Sequence, residues 1–328
     1  NYVCYGLIAR EVERIDSGYR SMMSVQSSLV MVPINEFGNE ETKQKYLPKV
    51  ADGTFRLQAF GVTEPTAGSN TTMIKTKAER DGDIYKINGQ KIWTSRAEYS
   101  DLMVLLARTT PVDDVGDRLS GLSTFLVEMR KPDGSLIDGL TINPIETMMN
   151  HSTTEVFFDN VEIPASALIG EEGNGFRQIL GGMNAERILI ASECIGDGKF
   201  FLERASAYAN ERVVFDRPIG MNQGVQFPLA KAQIHLEAAD LMRWKACDLF
   251  DVGESCGPEA NMSKFLASNA SWEAGNAALD THGGFGLAAE YDIERKLRET
   301  RLYQVAPINN NLILAFVAQK RLGLPKSY

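Results

Sequence analysis

The sequence predicts an α+β fold made of three successive regions. Residues 1–55 carry apolar side chains at helical intervals, residues 56–168 contain short runs typical of strands, and residues 169–328 are again helical with few turn signals. Because helices and strands occupy separate stretches instead of alternating, this pattern favours an antiparallel β domain between two helical domains. We therefore expect domains at 1–55, 56–168 and 169–328, the last one a helical bundle.

Composition describes an ordinary globular protein and excludes several function classes. The 328 residues are 44% hydrophobic and 23% charged, and the net charge of −9 comes with scattered Lys and Arg, so no nucleic-acid-binding footprint is present. No apolar run is long enough for a transmembrane helix, and the four cysteines show neither metal-ligand spacing nor a disulfide pattern. We expect no metal site, no nucleic-acid partner and no membrane insertion.

The first region contains two predicted helices. Residues 1–14 carry apolar side chains at helical intervals. Residues 39–47 resemble a short helix that begins after a capping residue, Asn39.

The second region reads as strands joined by tight turns. Residues 83–93 are typical of a hairpin with Asn88-Gly89 as its two-residue turn, a pair that accepts the left-handed backbone such turns require. Further strands are predicted at residues 102–107, 122–128 and 155–159.

The third region places an acid among apolar residues. Glu186 falls on a helical stripe that also contains Ile179, Met183, Ile190 and Cys194. A buried carboxylate is costly unless it is paired, hydrated or used, and burial raises a carboxyl pKa toward the range of a general base. The stretch by itself leaves two roles open for Glu186, a salt bridge to a neighbouring helix or catalysis.

Five stretches together resemble the acyl-CoA dehydrogenase family, and the resemblance extends over essentially the whole chain. They are FGVTEPTAGSN (60–70), KIWTS (91–95), NVEIPASALIG (160–170), ERVVFDRPIGMNQ (211–223) and HGGFG (282–286). The resemblance implies an acyl-CoA dehydrogenase-like fold with FAD as cofactor. It also implies that the N-terminal helical domain would start before Asn1 and be incomplete here.

The resemblance assigns one group of residues to the flavin, whose ring needs an apolar wall and hydrogen bonds that tune its nitrogens. Trp93 would pack on the ring and Thr94 would approach N5; the alternative for Trp93, which the flanking match makes the weaker one, is an ordinary core aromatic. Ser69 would contact the cofactor or the acyl-CoA, or would only complete a turn. The whole set is Phe60, Val62, Thr63, Ser69, Trp93 and Thr94.

A second group would reach FAD across a subunit interface. Arg212 and Gln223 would hold the pyrophosphate and adenosine end, where the guanidinium fork suits phosphate, and Phe215 lies in the same motif. Gly283 and Gly284 would let the backbone approach the cofactor. The alternatives are an exposed helical arginine at Arg212 and a helix C-cap at the glycines.

The implied reaction is α,β-dehydrogenation of an acyl-CoA thioester, in which a base removes an α-proton while the β-hydrogen leaves as hydride. Most family members carry this base in a Tyr-Glu-Gly-Thr stretch near the C-terminus, where this chain has Pro307. A minority branch, typified by isovaleryl-CoA dehydrogenase, uses the Glu of a Glu-Arg pair in the C-terminal domain. Glu186 and Arg187 match that pair, so we predict Glu186 as the base and Arg187 as a substrate-binding residue.

Pro307 also removes a hydrogen-bond donor, because proline has no N–H. In the family, the amide at this position helps to bind the thioester oxygen. Either a shifted register lets Ala306 or Ile308 supply the donor, or the oxyanion site is weaker. The asparagines at 309–311 contact the cofactor or cap the last helix.

The acyl group is predicted from residues 1–65, which most resemble glutaryl-CoA dehydrogenase. Arg20 and Ser24 match the residues that meet the distal carboxylate in that enzyme, and an arginine can bind a carboxylate bidentately. The alternative is that Arg20 pairs with Asp16 or another acid of the protein. Because the C-terminal half lacks the glutaryl enzyme's base, both alternatives stay open.

The resemblance further implies a homotetramer that passes electrons to an electron-transferring flavoprotein. It implies a place in fatty-acid or amino-acid catabolism, in the bacterial cytoplasm or the mitochondrial matrix. Two other activities stay open: a flavin-dependent oxidase or monooxygenase acting on a substrate without CoA, and a non-catalytic assembly protein stabilised by FAD. Oxygen reactivity of the reduced flavin tests the first, and bleaching of the flavin by substrate tests the second.

Overall fold

The computed structural model describes residues 1–326, which form two compact units. The helical unit contains Asn1–Arg20, Met148–Asn150 and the chain from Asn184 onward. The sheet unit contains Ser21–Thr147 and His151–Met183. The three-domain division expected from the sequence stays a prediction, because the compact units divide the chain at other points.

Both helices expected in the first region are confirmed, and the described helices are otherwise concentrated after residue 174. The Asn39 side chain accepts a hydrogen bond from the Thr42 N–H and so caps the second of them. The α-helices are α1 (Tyr2–Ile15), α2 (Ser17–Ser24), α3 (Val32–Phe37), α4 (Glu40–Ala51), α5 (Gly175–Glu211), α6 (Gln223–Asp251), α7 (Gly257–His282), α8 (Ile293–Thr300) and α9 (Asn310–Leu322), and Val25–Met31 is a π-helix. None of these helices combines the length and apolar character that crossing a bilayer requires.

The core of the helical unit forms where α5, α6 and α7 pack with α8. Small residues let these helices approach closely, since a Cβ added to Gly275 would lie 2.7 Å from Leu297 Cδ1. Phe201 and Tyr303 are the large, fully buried aromatic residues of this core.

The sheet unit is built on one twisted sheet with the strand order β6-β7-β3-β2-β4-β5-β8, and β1 pairs with β4. Most pairs are antiparallel as expected, but β1 and β2 both run parallel to β4. The strands are β1 (Gln58–Gly61), β2 (Lys77–Asp81), β3 (Ile84–Ser95), β4 (Leu102–Arg108), β5 (Leu122–Glu128), β6 (Leu140–Ile145), β7 (Thr153–Pro164) and β8 (Leu168–Ile169). A short hairpin in the helical unit adds β9 (Val213–Val214) and β10 (Arg217–Pro218).

The predicted hairpin at 83–93 was wrong. Asn88 and Gly89 lie inside the single strand β3, at an irregularity in its pairing with β7. The turn lies earlier, at Gly82, whose φ of +59° suits glycine. Asn88 instead accepts a hydrogen bond from the Asn160 N–H, 2.9 Å away on β7. An Asn-Gly pair fits a bulge as well as a turn, because both require an unusual backbone at the glycine.

Candidate active site

In the sheet unit, a buried ion pair fixes the loop that follows β1. The ammonium of Lys91, a fully buried residue of β3, donates to Glu64 Oε1 at 2.9 Å and to the Val62 carbonyl at 3.0 Å. The Ile92 N–H donates to the Thr63 carbonyl at 2.9 Å. The loop carrying Val62 and Thr63 is therefore bound to β3 by three hydrogen bonds.

Glu64 and Lys91 tune each other inside this pair. Burial lowers the pKa of Lys91 to about 8, despite the opposing charge of Glu64. Burial by itself would raise the pKa of Glu64, but the charge of Lys91 and the N–H groups of Lys75 and Thr76 bring it below its usual value. The pair remains ionised at neutral pH.

Trp93 and Thr94 follow at an irregularity of the same strand. The pairing of β3 with β7 shifts register between Lys91 and Thr94, and Trp93 has a φ of +60°. A left-handed backbone is rare for a bulky residue and concentrates at functional sites. The bulge leaves Trp93 58% exposed, so it is not the ordinary core aromatic that the sequence left open.

The side chain of Thr94 is directed into the protein. It is buried, and its hydroxyl has no hydrogen-bond partner among residues 1–326. A buried hydroxyl without a partner is unusual and calls for a ligand or a water.

The remaining flavin candidates divide into two groups. Phe60 and Val62 are half-buried and pack on the cluster that contains Ala67 and Ile74. Ser69 is exposed, beyond the turn closed by hydrogen bonds between Glu64 and Ala67. The structure thus brings Phe60, Val62 and Thr63 beside β3, whereas Ser69 lies on the outer part of the loop.

The helical unit contains a cavity of about 670 Å³ at the end of α7. Arg212, Gly283 and Gly284 line it together, although 71 residues separate the first two in the sequence. His282 stacks on Tyr208 at a ring distance of 4.3 Å, and the Arg212 guanidinium lies 5.6 Å from the Phe285 ring centre. This cavity unites three of the five residues predicted to reach the far end of the cofactor.

The two glycines of the cavity have different backbone roles. Gly283 ends α7 with a φ of +57°, so the C-cap expected as one alternative is confirmed. A Cβ at either Gly283 or Gly284 would meet nothing within 4 Å. The glycines therefore leave open space at a helix end.

Phe215 and Gln223 lie outside this cavity lining. Phe215 is 93% exposed at the tip of the β9–β10 hairpin, where its φ is +52°. Gln223 is the first residue of α6 and is exposed.

Glu186 is buried on α5, as the apolar stripe predicted. It is 4% exposed, and Ile190 and Cys194 of the same stripe are buried as well. Its neighbour Arg187 is half-buried and donates to Asn184 Oδ1 at 2.9 Å. Burial lowers the pKa of Arg187 to about 10, because no carboxylate among the described residues pairs with it.

Arg20 is bound by acids of the protein. Its Nε donates to Glu13 Oε2 at 2.7 Å and lies 3.2 Å from Glu193 Oε2. Its Nη2 donates to the Tyr303 hydroxyl at 2.7 Å. Of the two roles left open by the sequence, pairing with other acids is the one the helical unit displays, with Glu13 and Glu193 in place of Asp16.

Three sequence models of one family match consecutive parts of the chain. They describe the N-terminal domain of acyl-CoA dehydrogenase at residues 1–54, its middle domain at 59–161 and its C-terminal domain at 173–320. The chain belongs to the acyl-CoA dehydrogenase family.

Curated acyl-CoA dehydrogenases align with almost the full chain. An acyl-CoA dehydrogenase of Bacillus subtilis is 37% identical over 98% of this chain and 83% of its own length. Glutaryl-CoA dehydrogenase of Desulfococcus multivorans is 32% identical over 98% of this chain and 81% of its own length. The chain is thus an FAD-dependent acyl-CoA dehydrogenase, and nothing in these comparisons favours an oxidase or monooxygenase.

Solved structures give the same result. A glutaryl-CoA dehydrogenase in complex with glutaryl-CoA superposes with a TM-score of 0.92 at 30% identity, over 99% of this chain and 81% of the other. A glutaryl-CoA dehydrogenase from Mycobacterium smegmatis in complex with FADH2 gives 0.91 at 29%, over 100% and 81%. A chain in the structure described as the electron transferring flavoprotein of Acidaminococcus fermentans gives 0.91 at 31%, over 98% and 83%.

The residues of this acyl-CoA dehydrogenase fit its FAD cofactor. The unpartnered Thr94 hydroxyl and the exposed Trp93 ring offer a hydrogen bond and an apolar surface in the sheet unit. In the helical unit, Arg212 offers a phosphate-binding fork beside glycines that leave room for a bulky group.

Several residues of the candidate site were missed by sequence reasoning. Lys91 and Glu64 belong to motifs that were recognised, but their pairing across the loop has no signature in the sequence. Tyr208 and His282 line the cavity, and the only available signal was that His282 precedes the paired glycines. Lys264 of α7 is fully buried and donates to the Ile308 carbonyl at 2.8 Å and to Asn310 Oδ1 at 2.9 Å, which fixes the segment after Pro307.

Proposed function

We propose that this acyl-CoA dehydrogenase removes the α-proton of its thioester substrate with the carboxylate of Glu186. The observation that carries the proposal is the 4% exposure of an acid on α5, combined with Pro307 at the position where most relatives carry the base. A carboxylate that is shielded from water is not stabilised by hydration and is therefore a stronger base. FAD, when bound, accepts the β-hydrogen as hydride.

Glu193, on the same helix, contributes to the electrostatic surroundings of Glu186. Glu193 lies two helical turns further along α5, and its pKa is raised well above the usual value by burial and by the charges of Glu13, Glu186 and Asp197, against the charge of Arg20. A Glu193 that holds its proton adds no negative charge beside Glu186.

We propose Ile308 as the backbone donor to the thioester oxygen. The Ala306 N–H already donates to the Leu302 carbonyl at 3.0 Å, and Pro307 has no N–H. The Ile308 N–H makes no hydrogen bond to any residue within 1–326, while its carbonyl is held by Lys264. A fixed, uncommitted N–H is the element that stabilises a developing enolate. Asn309 caps α9 through the Leu312 N–H at 2.9 Å, one of the two roles expected for these asparagines.

The remaining site residues keep the roles that the resemblance implied, as proposals. The residues that would contact the flavin are Phe60, Val62, Thr63, Trp93 and Thr94. Those that would reach FAD of a neighbouring subunit are Arg212, Phe215, Gln223, Gly283 and Gly284. The substrate would be contacted by Ser69 and Arg187. We also propose an electron-transferring flavoprotein as electron acceptor, supported by the similarity to a chain solved in that context, and a bacterial cytoplasm as location, supported by the bacterial relatives.

We further propose that the chain assembles as a homotetramer, with the outer face of α6 as one contact. Phe227, Ile234 and Leu241 occur at every seventh residue and are all exposed. Large apolar side chains in a row on a solvent-facing helix are typical of a protein interface. The face suits a second copy of itself: antiparallel pairing about Ile234 sets Phe227 against Leu241, and Lys231 against Glu237.

Sedimentation tests this assembly. Ile234→Asp places a charge at the centre of the pairing and should yield smaller species, whereas Val252→Asp, at an exposed apolar residue just beyond α6, should leave the tetramer intact. If the two variants sediment as species of equal size, α6 does not form the interface.

Anaerobic titration of the FAD-loaded protein with acyl-CoA thioesters tests the catalytic proposal. In the wild-type protein the thioester should reduce the flavin, seen as a decrease of the oxidised flavin absorbance. In Glu186→Gln this absorbance should stay unchanged, although FAD and thioester still bind. Glu193→Gln, two turns along the same helix, is the matched control and should still reduce its flavin. Undiminished reduction in Glu186→Gln would exclude Glu186 as the base.

A further inference from the structure

We propose that Lys264 is a positioning residue for the reaction, whose charged side chain holds the Ile308 N–H where the enolate oxygen of the substrate forms. The inference rests on the proposed function, which names Ile308 as the backbone donor, and it adds the residue that makes this donor effective. Its basis is a buried polar stripe on α7 and the charges around the lysine at the start of that stripe.

The polar stripe follows one face of α7. Lys264, Ser268 and Ser271 are spaced by four and three residues, so they lie on the same face of the helix, and all three are fully buried. The Ser271 hydroxyl meets Thr300 Oγ1 at 3.0 Å, whereas Lys264 and Ser268 meet the residues that follow Pro307. The stripe therefore contacts the end of α8 and the chain before α9.

Hydrogen bonds from Lys264 fix the segment that carries the proposed donor. Its ammonium donates to the Ile308 carbonyl at 2.8 Å and to Asn310 Oδ1 at 2.9 Å. The Asn310 amide in turn donates to Ser268 Oγ at 3.2 Å and to Asn269 Oδ1 at 3.3 Å. Ile308 is thus held through its own carbonyl and through a neighbour in sequence. A donor that is fixed before the reaction needs no reorganisation when charge develops on the substrate.

Stability by itself does not explain an ammonium at this place. Burial lowers the pKa of Lys264 to about 8; the Cys194 thiol opposes this and the charge of Arg187 adds to it. The ammonium also lies beside Asn310, the first residue of α9, and a helix N-terminus disfavours a cation. No carboxylate of residues 1–326 balances its charge. A group that keeps its charge against such effects is typical of a functional site.

The enolate would supply the negative charge that these cations lack. Arg187, the neighbour of Glu186 on α5, is a second cation whose pKa burial lowers, to about 10. When Glu186 takes the α-proton, the C–H electron pair enters the enolate, and the negative charge moves from the carboxylate to the thioester oxygen. The Ile308 N–H then donates to that oxygen while Lys264 keeps the donor in place.

An enolate that cannot react further measures this effect on the FAD-loaded full chain. The probe is the 3-thia analogue of the thioester that reduces the flavin best. With sulfur in the β-position, it can lose its α-proton but has no β-hydride to give. Its enolate therefore accumulates and is seen as a long-wavelength absorption band beside the oxidised flavin. The midpoint of this band in a pH titration gives the acidity of the bound thioester.

Lys264→Met removes the ammonium and its hydrogen bonds at nearly constant length. We expect the midpoint to rise by about one pH unit, which makes the bound thioester an acid weaker by about tenfold. The limiting rate of flavin reduction by the thioester itself should fall by a similar factor. FAD content, and affinity for the probe at low pH where no enolate forms, should stay unchanged. A merely structural role would lower the FAD content without moving the midpoint.

Two further variants complete the series. Lys264→Arg keeps a cation and a donor and should restore the wild-type midpoint. Ser271→Ala is the control on the same stripe, because its hydroxyl contacts Thr300 and not the segment after Pro307, and its midpoint should equal that of wild type. If Lys264→Met does not retain FAD, Lys264→Gln, which keeps an N–H donor without the charge, replaces it with a shift in the same direction.

The outcomes separate the inference from the proposed function. An unchanged midpoint in Lys264→Met, or an equal shift in Ser271→Ala, would overturn the inference and leave Glu186 as the base. A shift in Lys264→Arg as large as that in Lys264→Met would overturn the role of the charge. No enolate band in the wild-type protein, together with no flavin reduction by any thioester, would overturn the proposed function itself.

Discussion

The sheet unit and the helical unit bury charge in different ways. In the sheet unit, Lys91 meets one acid, Glu64, and the oxygens of that acid are also satisfied by backbone N–H groups. In the helical unit, Lys296 and Arg20 form a cluster with four carboxyl groups, those of Glu13, Glu193, Asp197 and Glu299. A balanced pair keeps both partners ionised and fixes a loop, whereas an excess of acids forces some of them to hold protons.

The difference matters for the two halves of the chemistry. The segment that would face the flavin needs a fixed position, which the Lys91–Glu64 pair provides through the Val62 carbonyl. The segment that would abstract a proton needs an ionised acid in a buried place. The raised pKa values of Glu193 and Asp197, on the same helix, limit the negative charge that these acids add near Glu186.

Lys296→Met should have the largest effect and would break the helical cluster. It leaves Glu13, Asp197 and Glu299 without their shared cation, so we expect a loss of about 3–5 kcal/mol in the free energy of unfolding, measured with urea. Lys77→Met is the control, because Lys77 is 52% exposed in its contact with Glu79 and its replacement should cost less than about 1 kcal/mol. If the free energy of unfolding of Lys296→Met lies within about 1 kcal/mol of the wild-type value, the cluster does not depend on the charge of Lys296.

The balanced pair of the sheet unit predicts a rise of stability with pH. The pKa of Lys91 falls from 10.5 to about 8 on folding, so the unfolded chain binds more protons between these values and stability increases through that window. Between pH 7.5 and 10.5, the free energy of unfolding of wild type should rise by about 3 kcal/mol relative to that of Lys91→Met. The difference between the two unfolding free energies isolates Lys91 from other titrating groups, and a pH-independent difference would contradict its depressed pKa.

Glu13 and Glu193 sharpen the contrast within the cluster. The pKa of Glu13 is lowered, because Lys296 and Arg20 outweigh the effect of burial, while that of Glu193 is raised by burial. Glu13→Gln should therefore destabilise by about 2–3 kcal/mol, whereas Glu193→Gln replaces a carboxyl whose raised pKa favours its neutral form and should cost less than about 1 kcal/mol.

The pH dependence of Glu193 has a definite sign. Its folded pKa lies above the unfolded value, so its contribution is complete below about pH 4.5 and is lost as pH rises through the folded pKa. Wild type should lose stability relative to Glu193→Gln as pH increases. A relative gain instead would show that Glu193 is ionised and that the cluster is balanced.

The smallest effect concerns backbone strain at Trp93, in the irregularity of β3. Trp93→Asn puts a residue that tolerates the left-handed region at a φ of +60°. Thermal unfolding of the FAD-free protein should show a gain of up to about 1 kcal/mol, while FAD binding weakens because the indole surface is lost. An FAD affinity equal to that of wild type would contradict the role of Trp93.

Local patterns predicted much of the fold. The Asn39 cap, the spacing in residues 1–14 and the apolar runs of β4 and β5 all depend on neighbours in sequence. The hairpin at Asn88-Gly89 failed because a bulge and a turn demand the same backbone from a glycine. The strands β1, β2, β6 and β8 were not predicted.

The candidate site could be proposed from the sequence where one motif carries it, but not where distant residues form it. Glu186 was recognised from helical spacing, and Arg212 with Gly283 and Gly284 from family motifs. The partners of Arg20 and Lys296 could not be predicted, because Glu13 and Tyr303 come from opposite ends of the chain. The excess of acids around Arg20 and Lys296 arises only when the helices pack together, so no spacing in the sequence indicates it.

Exchange of the α-proton with solvent deuterium reports on the base itself. The FAD-loaded protein is incubated anaerobically in D2O with the thioester that reduces its flavin best, and deuterium in the recovered thioester is measured by mass spectrometry. The account predicts exchange in wild type and in Glu193→Gln, and its loss in Glu186→Gln at unchanged FAD content. Exchange in Glu186→Gln at the wild-type rate would contradict Glu186 as the base.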